Sequence, residues 1–199
     1  SPFEQKNFYN QIANQFDVLM ALGGDDVDPS LYHERKTFAK FTHPLRDWLE
    51  FNLIKQFKQK AHGLFVGICR GHQMGAVVDG HSLYQDLVLD NVVPDNRHEN
   101  GKHTLIMDQE LQKLSGVSRA QVTVNTLHHQ AVRINPQAAS ASIAVGQDGV
   151  VEALAMKNGL GISYQFHPEI MAQIENTSLL DRYLGRKFFE AITKKMQLV

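Results

Sequence analysis

The run Leu64-Phe65-Val66-Gly67-Ile68 has no polar side chain, and it stops abruptly at Cys69-Arg70-Gly71-His72-Gln73. A strand can be apolar at every position only if both its faces are covered, as happens in a sheet with helices on each side. The residues that follow, His72 to Val78, can start a helix, so the chain must pass from buried strand to helix through a tight turn at Cys69. Gly67 and Gly71 stand two residues either side of the cysteine, where they keep side chains out of the neighbouring strand and helix. This is the cysteine form, G-x-C-x-G, of a nucleophile elbow. The sulfur is left at a helix N-terminus, where unpaired N–H groups and the helix dipole favour thiolate, the reactive form.

Around this unit, helical and strand patterns alternate. Phe8, Ile12 and Phe16 recur at i, i+4 and i+8, the stripe of an amphipathic helix. A short strand, Val18 to Leu22, runs into Gly23-Gly24 and an acidic turn, Asp25 to Pro29. The backbone therefore turns sharply at a strand's carboxyl end, where ligands bind in α/β sheets. Leu45, Trp48, Leu49, Leu53, Ile54 and Phe57 predict a second helix over Pro44 to Lys60 that packs on the sheet. The middle, Asp86 to Gly116, is polar and rich in turn formers and reads as loops and edge structure, with Thr104 to Met107 as its one strand. Val122 to Val124, Ala141 to Val145, Val150 to Met156 and Gly161 to Phe166 are short β-like runs, separated by turn signals such as Asp148-Gly149 and Asn158-Gly159. Leu179 to Ile192 reads as a closing amphipathic helix.

The last β-like run ends in Gln165-Phe166-His167-Pro168-Glu169. Pro168 biases His167 away from helical dihedrals, and in extended chain residues two apart point the same way. Glu169 can therefore orient the imidazole of His167. A thiol nucleophile needs a base to take its proton and an acid to return one to the leaving group, and an oriented histidine does both.

With 199 residues and 43% apolar content, the chain can bury one substantial core, and a single domain over residues 1–199 is expected. Twenty Lys and Arg nearly balance 21 Asp and Glu, so no general field for nucleic acid or an anionic membrane arises. One cysteine permits no internal disulfide, the N-terminus lacks the order of a signal peptide, and no apolar stretch approaches the ~20 residues of a membrane helix. A soluble protein in a reducing, cytoplasmic setting is the expectation.

Taken together, these residues resemble the class I glutamine amidotransferase-like superfamily, and within it most closely the γ-glutamyl-γ-aminobutyrate hydrolase, or peptidase C26, branch. The matching pieces are Gly23-Gly24-Asp25-Asp26-Val27-Asp28-Pro29 with Leu31-Tyr32, Arg46-Asp47 with Glu50, Gly67-Ile68-Cys69-Arg70-Gly71-His72-Gln73, Ser82-Leu83-Tyr84-Gln85-Asp86-Leu87, His128-His129-Gln130-Ala131-Val132 and Gln165-Phe166-His167-Pro168-Glu169. They run in the family's order over nearly the whole chain. The resemblance implies an α/β fold: a three-layer, flavodoxin-like sandwich with a mostly parallel central sheet flanked by helices and an antiparallel addition in the second half. It also implies a Cys69 nucleophile, a His167 base and a Glu169 orienter. Backbone N–H groups of Arg70 and of the Gly23-Gly24 turn would form the oxyanion hole, and Gln73, His128, His129 and Gln130 would line the glutamyl pocket.

The implied reaction is hydrolysis of a γ-glutamyl amide, in a γ-glutamyl amine or in glutamine, through a glutamyl thioester and without a cofactor. Two rivals stand beside it: an ammonia-donating subunit serving a separate synthetase, and a catalytically silent binding module of the same fold. The expected partners are a small γ-glutamyl substrate, a synthetase under the first rival, and a second copy in a homodimer; nucleic acid and membrane are not expected. Two departures from the pattern stand out. The chain begins about one strand–helix–strand unit late, and it has His72 and Asp79-Gly80 where relatives carry an apolar residue and a Gly-Gly pair.

Ten histidines invite a metal reading, with His128, His129 and His167 as the obvious ligands. Adjacent histidines on a strand point to opposite faces and no His-Glu-x-x-His or paired-cysteine spacing is present, so no metal is expected. Asp25, Asp26 and Asp28 are expected in turn and helix-cap roles, and Arg46, Asp47 and Glu50 in an ion pair on the surface or between elements.

Overall fold

The computed structural model describes residues 2–173 and 178–197. The elements run α1 (Pro2–Ala13), β1 (Val18–Ala21), a 3-10 turn (Pro29–Tyr32), α2 (Pro44–Phe57), β2 (Leu64–Ile68), α3 (Arg70–Asp79), β3 (Ser82–Tyr84), β4 (Gly101–Met107), α4 (Gln109–Ser115), β5 (Gln121–Thr126), β6 (Ala131–Arg133), β7 (Ser140–Gly146), β8 (Val151–Met156), β9 (Gly161–Tyr164), α5 (Pro168–Met171) and α6 (Leu179–Met196).

One seven-stranded sheet has the order β1-β2-β9-β8-β7-β4-β5, and β3 and β6 form a separate antiparallel ribbon. The strands β1, β2 and β9 are parallel, while β8, β7, β4 and β5 continue the sheet in antiparallel fashion. The fold is thus the expected α/β sandwich, and the antiparallel part is the larger share of the sheet. The parallel third carries the site.

Side chains alternate across the sheet and divide the apolar core in two. Leu64 and Val66 of β2 join Ile162 and Tyr164 of β9 against Leu111 of α4, Met171 of α5 and Leu184 and Phe188 of α6. Phe65 of β2 points the other way, with Leu154 of β8, against Ile54 and Phe57 of α2 and Met74 and Val77 of α3. All five residues of β2 are buried, as a strand covered on both faces requires.

The helices turn different faces inward than the sequence stripes suggest. Phe8 and Phe16 are exposed, and Tyr9 and Ala13 are the buried residues of that segment. The reason is that α1 packs on α2, where Tyr9 meets Trp48 edge-on with ring centroids 5.8 Å apart, so its apolar stripe does not face the sheet. In α2, Leu45 is 71% exposed and Trp48 and Leu49 also face outward, whereas Asp47 is fully buried beside Ile54 and Phe57. Asp47 is drawn in by the buried guanidinium of Arg70, and that ion pair sets the rotation of the helix. The helix stops at Phe57, short of Lys60.

The polar middle holds one strand, as expected, and a helix besides. Helix α4 is capped by the Asp108 side chain, which accepts from the Leu111 N–H, and ends at Gly116 with φ 71°. The short strands β3 and β6 leave no signal in the sequence, because three-residue pairs carry too little pattern to distinguish from loop. Among the described residues, no helix is long and apolar enough to cross a membrane.

Candidate active site

Cys69 joins β2 to α3 with φ 52° and ψ −110°, a conformation that L-residues rarely adopt and that persists only where the surroundings enforce it. They do so on three sides. The Cys69 N–H donates to the Tyr164 carbonyl of β9 at 2.8 Å, and the Cys69 carbonyl accepts from the Gln73 N–H at 3.1 Å to begin the helix. A Cβ on Gly67 would come 2.7 Å from the Gly71 carbonyl oxygen, and a Cβ on Gly71 would overlap the Ala21 carbonyl of β1. Both elbow glycines are therefore required by close backbone approach, one toward the helix and one toward the neighbouring strand.

His167 follows β9, one strand over, and β2 and β9 are in register at Ile68 opposite Tyr164. Its Nδ1 lies 2.5 Å from Oε1 of Glu169. Burial pushes the His167 imidazole down, but hydrogen bonds to Cys69 and to Glu169 outweigh it and raise its pKa to about 10. The imidazolium is thus held between the thiol and a carboxylate. Asn125, at the end of β5, clamps the His167 backbone, with Nδ2 donating to its carbonyl at 3.0 Å and Oδ1 accepting from its N–H at 2.9 Å. Asn125 was missed in the sequence because it lies 42 positions away and belongs to no motif.

Gly23 sits against both groups: a Cβ there would lie 3.3 Å from Cε1 of His167 and 3.7 Å from Cβ of Cys69. Its carbonyl accepts from Arg46 at 3.3 Å, which turns the carbonyl away toward α2 and fixes the peptide that joins it to Gly24. The first-turn N–H groups of α3, beginning with Arg70, flank the same cysteine. The Arg70 side chain runs inward to ion pairs with Asp47 and Glu50, and Arg46 also binds Glu50, at 2.7 Å. Asp47 in turn accepts from the Asp28 N–H at 3.2 Å, and Asp28 caps the 3-10 turn by accepting from Ser30. The ion pairs expected from Arg46, Asp47 and Glu50 therefore brace the Gly23-Gly24 turn against the elbow.

The remaining sequence candidates are held in hydrogen-bond networks around this centre. Gln73 is buried, and its Nε2 donates to the Gln130 carbonyl and to Oε1 of Gln165, each at 3.1 Å. Gln130 accepts from the Val27 N–H at 3.1 Å, which ties its loop to the acidic turn. His129 bridges Asp26 at 2.8 Å and Asp86 at 3.2 Å with its two ring nitrogens. Burial alone would lower the His129 pKa, but these carboxylates outweigh it and the net shift is upward. His128 points elsewhere, with Nδ1 on the Gln130 carbonyl at 2.9 Å and Nε2 3.3 Å from His98. His128, His129 and His167 thus belong to three different networks.

The two departures near the elbow have local partners. Wholly buried His72 meets Ser163 Oγ at 2.9 Å, and burial pushes its pKa down to about 3, so the ring is neutral. Asp79 closes a buried ion pair with Lys58 at 2.9 Å. A cysteine at a strand-to-helix turn rich in N–H groups, its proton passed to a carboxylate-oriented imidazole, can attack a carbonyl carbon as thiolate, and the imidazolium so formed can protonate the group that leaves.

Residues 1–169 match the Peptidase C26 family model. A Lactococcus lactis protein named glutamine amidotransferase-like protein YvdE is 34% identical over 181 residues, covering 87% of this chain and 72% of that protein. Protein NtpR of Enterococcus hirae is 30% identical over 172 residues, covering 82% of this chain and 71% of its own length. In three dimensions, the crystal structure of a glutamine amidotransferase from Thermotoga maritima superposes with a TM-score of 0.63 over 92% of this chain and 79% of that one, at 16% identity.

Proposed function

This chain belongs to the peptidase C26 family of glutamine amidotransferase-like hydrolases, and from that premise we propose that it cleaves γ-glutamyl amide bonds with Cys69 as nucleophile. The observation that carries the reading is the strained Cys69 turn in hydrogen-bond contact with a His167 held by Glu169 at 2.5 Å.

In this reading the Cys69 thiolate attacks the γ-carbonyl carbon of the substrate. The oxyanion is taken by the N–H groups of Arg70 and of the Gly23-Gly24 turn, each worth about 3 kcal/mol in comparable sites. The His167 imidazolium gives its proton to the departing nitrogen, the C–N bond breaks, and a glutamyl thioester remains on Cys69. His167, now neutral, takes a proton from water, which attacks the thioester and releases glutamate. Glu169 orients the ring throughout. Gln73, His128, His129 and Gln130 support the pocket for the glutamyl head group, chiefly by fixing the loops that form it.

The names carried by relatives favour a second reading, in which glutamine is the substrate and the ammonia passes to a separate synthetase. The test is kcat/KM of the purified protein for glutamine and for a panel of γ-glutamyl amines, with Cys69→Ala as control. A γ-glutamyl amine cleaved faster than glutamine, with no turnover by Cys69→Ala, is the expected result. Turnover by Cys69→Ala would end the cysteine mechanism, and a preference for glutamine that appears only with a synthetase would select the second reading.

A further inference from the structure

Behind the elbow, four side chains that no step above uses as an acid, base or nucleophile converge on one buried point. Glu152 lies in β8, fully buried, and among the described residues neither of its carboxylate oxygens has a hydrogen-bond partner. Around its Oε1 stand His103 Nε2 at 3.4 Å, His128 Nε2 at 3.5 Å and His98 Nδ1 at 3.9 Å. His103 likewise has no hydrogen-bond partner at either ring nitrogen. A carboxylate and an imidazole have been taken out of water without the aligned bonds that normally offset that cost.

The hydrogen bonds on the outer side of the cluster define what faces inward. His98 Nε2 lies 2.8 Å from Oδ2 of Asp148, an oxygen that only accepts, so that nitrogen carries the proton. His128 Nδ1 lies 2.9 Å from the Gln130 carbonyl and carries the proton for the same reason. The other nitrogen of each ring is then the one able to turn a lone pair inward. Those two nitrogens face one another at 3.3 Å and both face the Glu152 carboxylate, while His98 Nδ1 also lies 3.3 Å from Thr126 Oγ1, whose own proton goes to the His98 carbonyl. Converging lone pairs repel unless a cation sits among them. A histidinium donating to a carboxylate would draw in to about 2.7–2.9 Å, and none of the contacts to Glu152 is that short. Donors about 2.0–2.1 Å from a tetrahedral metal are instead about 3.3 Å from each other, and the spacings here begin at 3.3 Å and stay within 4.8 Å among His98, His103 and Glu152.

We propose that His98, His103 and Glu152, with His128 as fourth ligand, form a buried site for a divalent transition metal of the zinc type. Three imidazole nitrogens and one carboxylate oxygen suit that class of ion and leave no coordination position open, so the site is structural. Asp148 and the Gln130 carbonyl supply the outer hydrogen bonds that orient metal-bound histidines. A surface hollow lined by Arg97, Lys102, His103 and Asp148 gives the ion a way in.

The metal would join four separate segments: the loop before β4, β4 itself, the loop after β5, and β8. Two of them lead directly to the elbow. The Glu152 carbonyl accepts from the Gln165 N–H at 2.8 Å, and the Gln130 carbonyl that holds His128 also accepts from Gln73. The ion would thereby brace the layer under Cys69 and His167 without touching the reacting atoms.

The test uses tag-free protein carrying Cys69→Ala, which removes the only thiol as a competing ligand and makes the readout independent of any activity. Metal is stripped with a chelator, Zn²⁺ is titrated against a chromophoric competitor, and Co²⁺ is added separately to record its visible spectrum. One zinc per chain and the intense visible bands of tetrahedral cobalt are expected. Glu152→Gln and His103→Ala should each weaken zinc binding by more than Asp148→Asn, which should itself cost about 10-fold or more. His129→Ala should bind as tightly as its parent. Because the parent is measured first, the result does not depend on the variants folding. Failure of the parent to take up zinc at micromolar concentration, or equal uptake by a folded Glu152→Gln protein, overturns the site.

Discussion

Cys69 and His167 form a coupled pair, and the charge on the imidazole follows from its two neighbours. Burial disfavours the imidazolium, and the hydrogen bonds to Cys69 and Glu169 more than compensate, placing its pKa near 10. A pKa raised in the fold contributes stability that is fully present below the ordinary histidine value of about 6.5 and is lost as pH rises through about 10. Acylation needs this proton for the leaving nitrogen, so kcat/KM should fall on the alkaline side only as pH approaches about 10. A pH–rate profile for the parent and for Glu169→Gln checks this: the variant should move the alkaline limb down, and a parent limb at the ordinary histidine value would contradict the pairing. His167→Asn should cost several orders of magnitude in rate and Glu169→Gln considerably less, because one group moves protons and the other orients it. Equal losses in steady-state kinetics would count against those roles.

At the scale of elements, close approach and buried charge decide how the helices sit. Lys58 in the segment after α2 reaches Asp79 at the end of α3 at 2.9 Å, with both side chains almost entirely covered, and its ammonium also lies 4.2 Å from the centre of the Phe65 ring. Asp79→Ala leaves that ammonium without its counter-ion and should cost about 3–5 kcal/mol in urea unfolding, whereas removing an exposed pair such as Lys187 with Glu190 should cost far less. Gly71→Ala forces a methyl group into the Ala21 carbonyl and should destabilise the protein by about 1–3 kcal/mol or more. Because the displaced backbone is the elbow itself, the same variant should react more slowly with a glutamine-mimicking electrophile, measured by intact mass. Gly185 plays a similar part on the other face, where a Cβ would meet the Ala172 amide nitrogen at 2.6 Å, so α6 can press directly on the turn that carries Glu169.

Over the whole molecule, the most legible features were those encoded in consecutive residues. The buried strand β2, the elbow glycines and the His167-Pro168-Glu169 step are each local, and the structure gathers them at the ends of adjacent strands. What pattern could not reveal depends on long-range packing. The inward face of α2 is set by Arg70, 23 positions from Asp47, and the His98, His103, His128 and Glu152 cluster draws on four segments with no shared motif. Helix α4 was legible in principle, since Asp108 and Gly116 are ordinary cap residues, but its polar surroundings hid it. Burial predicts the order of opening: amides of β2 and β9, inside the sheet, should exchange with deuterium most slowly, and those of the edge strands β1 and β5 sooner. Hydrogen-exchange mass spectrometry resolves the two groups, and faster exchange in β2 than in β1 would refute the assignment of the core.

The pairing of Ile68 with Tyr164 acts as a ruler. Cys69 comes one residue after the first and His167 three after the second, so a strand alignment, and not a flexible loop, sets the gap between thiol and imidazole. One residue added within β9 would displace His167 along the sheet by about 3.3 Å and turn its side chain to the opposite face. The same residue added at the Asn158-Gly159 turn, where Gly159 has φ 80° and nothing crowds it, would be absorbed outside the sheet. Length variation in this protein is therefore free in its hairpin turns and forbidden in two short strands, so insertions mark off the site as sharply as substitutions do.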